Sequence, residues 1–251
     1  MKVMDISDLK KEAKIFCEFM KKENHSSLIG VTDGKAVGTY VEHRFQDYIS
    51  SKYEIEIGSS AKGIDLPGAE IETDIKVTSI VQPQSSCPFK NARQKIFGLG
   101  YNILVFVYDK KDTANSCTLD FKYCTFIDKS RTADYTITKR LREMVDDGAN
   151  KEDIIGFLVD KNVPGDDIVY SDLADEILCN KPEQGYLTIS NALQWRLQYA
   201  RVIALDNTVN GENLCYMVVL YSSASCQYTY PCTIRQNYIA TEERDCRGGL
   251  D

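Results

Sequence analysis

The sequence predicts the α/β class: a mixed central β-sheet flanked by helices, followed by a mainly helical C-terminal part that ends in a β-hairpin. Three observations lead there. Two amphipathic helical stretches, residues 5–22 and 36–51, come before any long strand pattern. Residues 71–77 alternate apolar and charged side chains with period two. Residues 102–108 are a continuous apolar run of strand length, as expected of a strand buried on both faces.

Taken in order, residues 5–22 place Ile6, Leu9, Ala13, Phe16 and Met20 near one stripe. Residues 36–51 carry a stripe of Val37, Tyr40, Val41, Phe45 and Tyr48, with Glu42 at its rim. Residues 53–57 alternate as a strand, and 58–63 form a Gly- and Ser-rich turn. Pro67-Gly68 is the expected hairpin turn before the alternating strand. Residues 82–88 read as a polar loop and 91–99 as a short basic helix. Strands at 102–108 and 117–127 and a helix at 136–145 complete a first region, residues 1–145. From residue 146 the texture changes. Helical patterns at 151–161, 168–178 and 190–205 precede a strand pair at 214–221 and 227–234, so residues 146–251 resemble a winged-helix-like module or a helical cap.

The formal net charge of −7 argues against a surface that attracts nucleic acid everywhere, but it allows a local basic groove. Lys90, Arg93 and Lys95 form one such cluster. The nine cysteines contain no CxxC pair, so zinc-ribbon spacing is absent. With no secretory signal, reduced thiols in a cytoplasmic protein are expected. Cys215, Cys226, Cys232 and Cys246 are the one alternative grouping. No apolar run is long enough to span a bilayer, so no membrane partner is expected.

Other chemistries find little support. Residues 30–36, GVTDGKA, are one residue short of a phosphate-binding loop and lack its terminal Ser or Thr. Gly98-Leu99-Gly100 precedes a strand, the wrong side for dinucleotide binding. Neither His25 nor His43 has a convincing Ser or Cys nucleophile.

The stretch from Gly63 to Ser79, GIDLPGAEIETDIKVTS, offers a chemistry. Ile71, Thr73, Ile75 and Val77 share one side of the strand; Glu70, Glu72, Asp74 and Lys76 share the other. Paired carboxylates suit a hard divalent cation such as Mg²⁺. A lysine two residues beyond Asp74 lies on the same side, where it offsets charge developing on a phosphorane. Asp65, on a neighbouring strand, is placed to face Asp74. Acid-x-Lys triplets recur in the chain, and Asp120-Phe121-Lys122, with Asp109 before it, is a second strand-borne possibility. A charged, solvated strand face explains either pattern without chemistry.

Asp65-Leu66-Pro67 followed by Asp74-Ile75-Lys76, continuing through Gln82-Pro83-Gln84-Ser85-Ser86-Cys87-Pro88-Phe89 to the strand at 103–108, resembles the PD-(D/E)xK nuclease superfamily, and within it a type II restriction endonuclease. The resemblance covers about residues 36–145. It implies a restriction-endonuclease-like fold and a Mg²⁺-dependent enzyme of a restriction system cutting double-stranded DNA, commonly as a homodimer. It implies Asp65 and Asp74 as metal ligands, Lys76 as the catalytic lysine and Glu42 as an additional metal or active-site group. In this chain the proline follows the first acid instead of preceding it, and the gap from Asp65 to Asp74 is slightly short. A non-enzymatic winged-helix DNA binder and a superfamily nuclease of DNA repair or RNA processing are the alternatives.

For DNA contact, Asn191, Gln194, Gln198 and Arg201 would share one face of a helix over residues 190–205. Asn and Gln suit adenine and Arg suits guanine. Lys90, Arg93 and Lys95 are expected on phosphates. Gln84, Ser85 and Ser86 are expected to reach a groove.

Overall fold

A computed structural model describes residues 1–58, 63–86, 89–190 and 196–205, and the backbone of 214–216. Its described part is mixed α/β. In chain order it runs β1 (Lys2–Val3), α1 (Ile6–Lys22), α2 (Gly34–Ser50), β2 (Tyr53–Glu54), β3 (Thr73–Ser79), β4 (Gln84–Ser86), α3 (Ala92–Phe97), β5 (Asn102–Asp112), β6 (Cys117–Ile127), α4 (Tyr135–Asp146), α5 (Lys151–Asp160), α6 (Asp167–Cys179), β7 (Thr188–Ile189), β8 (Arg196–Gln198), α7 (Ala200–Ala204) and β9 (Leu214–Tyr216).

Capping chemistry fixes the helix starts. Asp5 and Asp8 form a reciprocal capping box at α1, and the Asp33 and Asp134 carboxylates accept the free N–H groups of α2 and α4. The central sheet has the order β3-β5-β6-β9. β3 pairs parallel with β5, and the other pairs are antiparallel, which makes the sheet mixed and leaves β3 at an edge. β4, β8 and β7 form a second, three-stranded antiparallel sheet.

Alternation along β5 separates two cores. Leu104, Phe106 and Tyr108 face α1 and α2, where Phe106 meets Phe16 and Phe45 at ring-centroid distances of 5.9 and 5.2 Å. Ile103, Val105 and Val107 face the other way, onto Leu187, Ile189, Leu197, Tyr199 and Val202. The small sheet therefore lies on the face of the central sheet opposite α1 and α2. A third cluster joins Ala92 and Ile96 of α3 to Leu141, Ile154, Leu158 and Ile177 of α4, α5 and α6.

Three expectations change. Residues 190–205 are not one helix: β7, β8 and the five-residue α7 occupy that stretch, and 191–195 lie outside the described residues. The third helix of the expected winged-helix-like module is thus absent from the described residues. Residues 82–88 are not wholly loop, because Gln84–Ser86 pairs with Arg196–Gln198. The expected strand at 53–57 is only the two residues of β2. Of the terminal strand pair, 214–216 pairs with β6, and the remainder lies outside the described residues.

Candidate active site

The alternation of the 71–77 stretch survives folding, although the regular strand begins at Thr73. Ile75 and Val77 join the core beneath α1 and α2, while Asp74, Lys76 and Thr78 occupy the opposite face. The turn at Pro67-Gly68 is closed by Ile71 and Glu72, which both donate N–H to the Gly68 carbonyl, and by paired bonds between Leu66 and Thr73. That hairpin brings Asp65 back beside β3. At this unpaired edge, Ile75 donates its N–H to Asp65 Oδ2 at 2.7 Å. Asp65 therefore occupies a place that a neighbouring strand would otherwise take. Gly58 holds the approach from the other side, donating its N–H to the Asp65 carbonyl at 2.8 Å. A Cβ on Gly58 would lie 1.9 Å from the Ile64 carbonyl oxygen, so the chain passes there only without a side chain.

Asp74 is 3% exposed. Lys76 Nζ lies 2.7 Å from Asp74 Oδ2, yet that oxygen makes no well-directed hydrogen bond and is buried from solvent. Burial pushes the Asp74 carboxyl up to about 7; Lys76 opposes the rise, and a hydrogen bond to Asp65 together with its charge reinforces it. Glu42, on α2, continues the group: burial, then the charge of Asp65 and a hydrogen bond to it, raise its carboxyl as well. The structure thus brings Glu42, Asp65, Asp74 and Lys76 together at one sheet edge.

Oxygen donors of this kind fit a hard divalent cation. The pairing of the buried Asp74 carboxyl with Asp65 is the strongest sign, because a cation there would relieve the cost of both charges, whereas a buried oxygen without a well-directed hydrogen bond is a feature Asp120 Oδ1 shares. The fit rests on Asp74 and its neighbour Asp65. Among the described residues, no three Asp, Glu, His or Cys side chains stand as a closed metal-binding cluster.

The rival acid is differently placed. Burial alone would raise the Asp120 carboxyl, but hydrogen bonds from Lys122 and Lys21 hold it below its ordinary value. Lys21 Nζ is 3.1 Å from Asp120, and Asp109, across the β5–β6 ladder, lies 3.7 Å from Lys111. Asp120 is a carboxylate with two cations already on it. Replacing it with alanine is expected to leave DNA cleavage within a few-fold of wild type and to cost about 1 kcal/mol of stability or less. Thermal melts and a plasmid assay on Asp120→Ala check both.

The expected DNA contacts are dispersed. Lys90 is exposed. Arg93 is engaged bidentately by Glu176 of α6, and Lys95, 1% exposed, lies inside the protein instead of on a phosphate-facing surface. The Ser85 hydroxyl is 2.8 Å from that of Tyr199, on the core side of the small sheet. Arg201 does not share a helix face with Gln198, which is in β8, and its guanidinium stacks over the Tyr135 ring at 3.8 Å. Gln84 and Gln198 face one another across β4 and β8. Asn191 and Gln194 lie outside the described residues. Thr78 follows Asp74 and Lys76 as the next member of the alternation along β3, and Arg196 stands opposite Ser86 across β4 and β8.

The described thiols Cys17, Cys117, Cys124 and Cys179 are free. The proposed grouping at Cys215, Cys226, Cys232 and Cys246 lies outside the residues whose side chains are described. Among the described residues, no helix is long and apolar enough to cross a membrane.

Residues 3–213 match the family model for type II restriction enzyme NspV. The chain is 53% identical over 205 residues to type II restriction enzyme NspV from Nostoc sp. (strain ATCC 29411 / PCC 7524), a match covering 81% of this chain and 92% of that relative. No solved structure matches it significantly.

Proposed function

From the premise that this chain belongs to the NspV family of type II restriction enzymes, we propose that it is a Mg²⁺-dependent endonuclease of the PD-(D/E)xK type that cuts double-stranded DNA at a specific site through Asp65, Asp74 and Lys76. Membership makes it a site-specific restriction endonuclease, a hydrolase. The observation that carries the assignment of residues is Asp74: a buried carboxyl pushed up to about 7, with Lys76 2.7 Å away and Asp65 hydrogen-bonded beside it.

In this reading Asp65 and Asp74 hold the cation, and Glu42 extends the acidic set. The cation, when bound, supplies positive charge for water activation and for the developing phosphorane. Lys76 orients the attacking water and offsets charge on the non-bridging oxygens. The water oxygen bonds to phosphorus in line as the P–O3′ bond breaks; the water releases a proton and the departing 3′ oxygen takes one up from solvent, leaving 5′-phosphate and 3′-hydroxyl ends. Asp65 also holds the β3 backbone through Ile75, so the hydrogen bond that positions the acid positions Asp74 and Lys76 too. We further propose a catalytic core over residues 1–145, a recognition region over residues 146–251, a homodimer reading a short palindrome, a cytoplasmic location and a partner methyltransferase that protects host DNA. Among the expected phosphate contacts, the exposed Lys90 is kept in this role.

Purified protein incubated with plasmid and viral DNA is expected to give discrete fragments with Mg²⁺ and none with chelator. Smeared digestion, or retention of DNA without cutting in Mg²⁺, would contradict the proposal.

A further inference from the structure

The expected reading helix is replaced by a sheet, and the sheet has a face suited to the same task. Leu197 and Ile189 are buried in the core beneath the small sheet. Alternation therefore turns Arg196, Gln198 and Thr188 outward. Register puts Gln84 opposite Gln198 and Ser86 opposite Arg196, while Thr188 lies on the other side of Gln198. The outward face thus presents a row of Gln84, Gln198 and Thr188 beside a pair formed by Ser86 and Arg196. None of these five residues is buried. Neighbouring strands are about 4.8 Å apart and same-face residues about 6.6 Å apart, so the β4–β8 ribbon fits the major groove, which is about 12 Å wide. Amide and guanidinium side chains are the groups that bond bidentately to adenine and guanine edges.

A second observation joins this face to the catalytic strand. Thr78 is 5% exposed and lies two residues beyond Lys76 on the same face of β3. Its hydroxyl donates to the Gln84 carbonyl at 3.0 Å or the Gln82 carbonyl at 3.2 Å, and it accepts the Gln84 N–H at 3.1 Å. The edge of β4 is thereby tied to the strand carrying Asp74 and Lys76, at a point about 6.6 Å along it from Lys76.

We propose that the outward face of the β4-β8-β7 sheet, through Gln84, Gln198 and Arg196, reads base edges in the major groove of the substrate duplex, and that Thr78 is the positioning residue fixing this reader to the catalytic strand. The inference rests on the nuclease reading above. Gln84 and Gln198 discriminate A·T pairs, Arg196 discriminates a G·C pair, and Ser86 and Thr188 supply flanking hydrogen bonds.

Cleavage of a duplex library with randomised positions, read by sequencing the cut ends, measures preference at each base pair. Gln84→Ala and Gln198→Ala are each expected to reduce discrimination at A·T positions by about 10- to 100-fold, and Arg196→Ala to do so at a G·C position. Thr78→Val is expected to relax several positions at once, slow cutting and lower the Tm by a few degrees, and Thr78→Ser to restore all three. If the Gln84, Gln198 and Arg196 variants keep the wild-type profile, or only slow uniformly at all sequences, the face is not the reader. If Thr78→Ser behaves like Thr78→Val, the hydroxyl has no positioning role. Asp74→Asn serves as the separate control. An uncut library with that variant leaves the nuclease reading standing whatever the reader variants do, and cutting at the wild-type rate removes that reading itself.

Discussion

Lys76→Ala is expected to lower single-turnover DNA cleavage by about 10²–10³-fold or more while leaving the protein folded and able to bind DNA. Lys76 is on edge strand β3, its side chain is 22% exposed, and its Nζ lies 2.7 Å from Asp74 Oδ2. It is therefore open to a bound phosphate on one side and committed to the acidic group on the other. Loss of the ammonium removes a charge preorganised for the phosphorane. It also removes the cationic neighbour that holds the Asp74 carboxyl down, so that carboxyl rises further above its value of about 7. The rate–pH profile of the variant should accordingly move toward higher pH as well as downward. Asp74→Asn keeps the shape of the side chain but supplies no carboxylate, and its cleavage should fall at least as far. Plasmid nicking measured across pH 6–9, alongside a DNA retention assay in chelator, separates chemistry from binding. Lys76→Ala cutting within a few-fold of wild type would remove lysine from the mechanism.

The second large effect concerns stability. The folded Asp74 carboxyl titrates near 7, well above the ordinary value of 3.8. The folded protein thus holds a proton that the unfolded chain has already released between these two values. Stability contributed by neutral Asp74 is complete below about pH 4, declines as pH rises to 7 and is flat beyond. The rise from 3.8 to about 7 corresponds to about 4 kcal/mol at most. Asp74→Asn should therefore raise the Tm of the cation-free protein at pH 8 and leave it nearly unchanged at pH 4. Mg²⁺ should stabilise the wild type by linkage, by about 2.7 kcal/mol at a hundred times its Kd, more at pH 8 than at pH 5. The same addition should do little for Asp74→Asn. Melts of both proteins in Mg²⁺ and in chelator at the three pH values give the comparison. Parallel wild-type and variant curves, with no effect of Mg²⁺, would show that Asp74 is an ordinary buried acid.

Where the chain obeys a local rule, its sequence was enough to read it. The stripe of Leu9, Ala13, Phe16 and Met20 marks α1 because helical periodicity is set within a few turns. The apolar run at Ile103–Tyr108 marks β5, buried on both faces. The alternation around Asp74 and Lys76 was legible for the same reason. What sequence alone left hidden depends on partners far along the chain. Leu193, Tyr199, Ala200 and Ile203 suit helical spacing, but β8 gains strand partners from Gln84–Ser86, more than a hundred residues earlier, and from Thr188–Ile189. Lys95 reads as a surface cation, and only the folded chain buries it, to 1% exposure. That β3 is an edge strand, and that Asp65 closes its edge through Ile75, follows only from the order of the whole sheet. The raised Asp74 carboxyl follows in turn from that burial.

The most direct measurement is the anomalous scattering of Mn²⁺ in crystals of the protein with a duplex carrying its recognition site. The account predicts a peak at the carboxylates of Asp65 and Asp74, with the scissile phosphate and Lys76 beside it. A peak at Asp109 and Asp120 instead, or a phosphate seated away from β3, would contradict it.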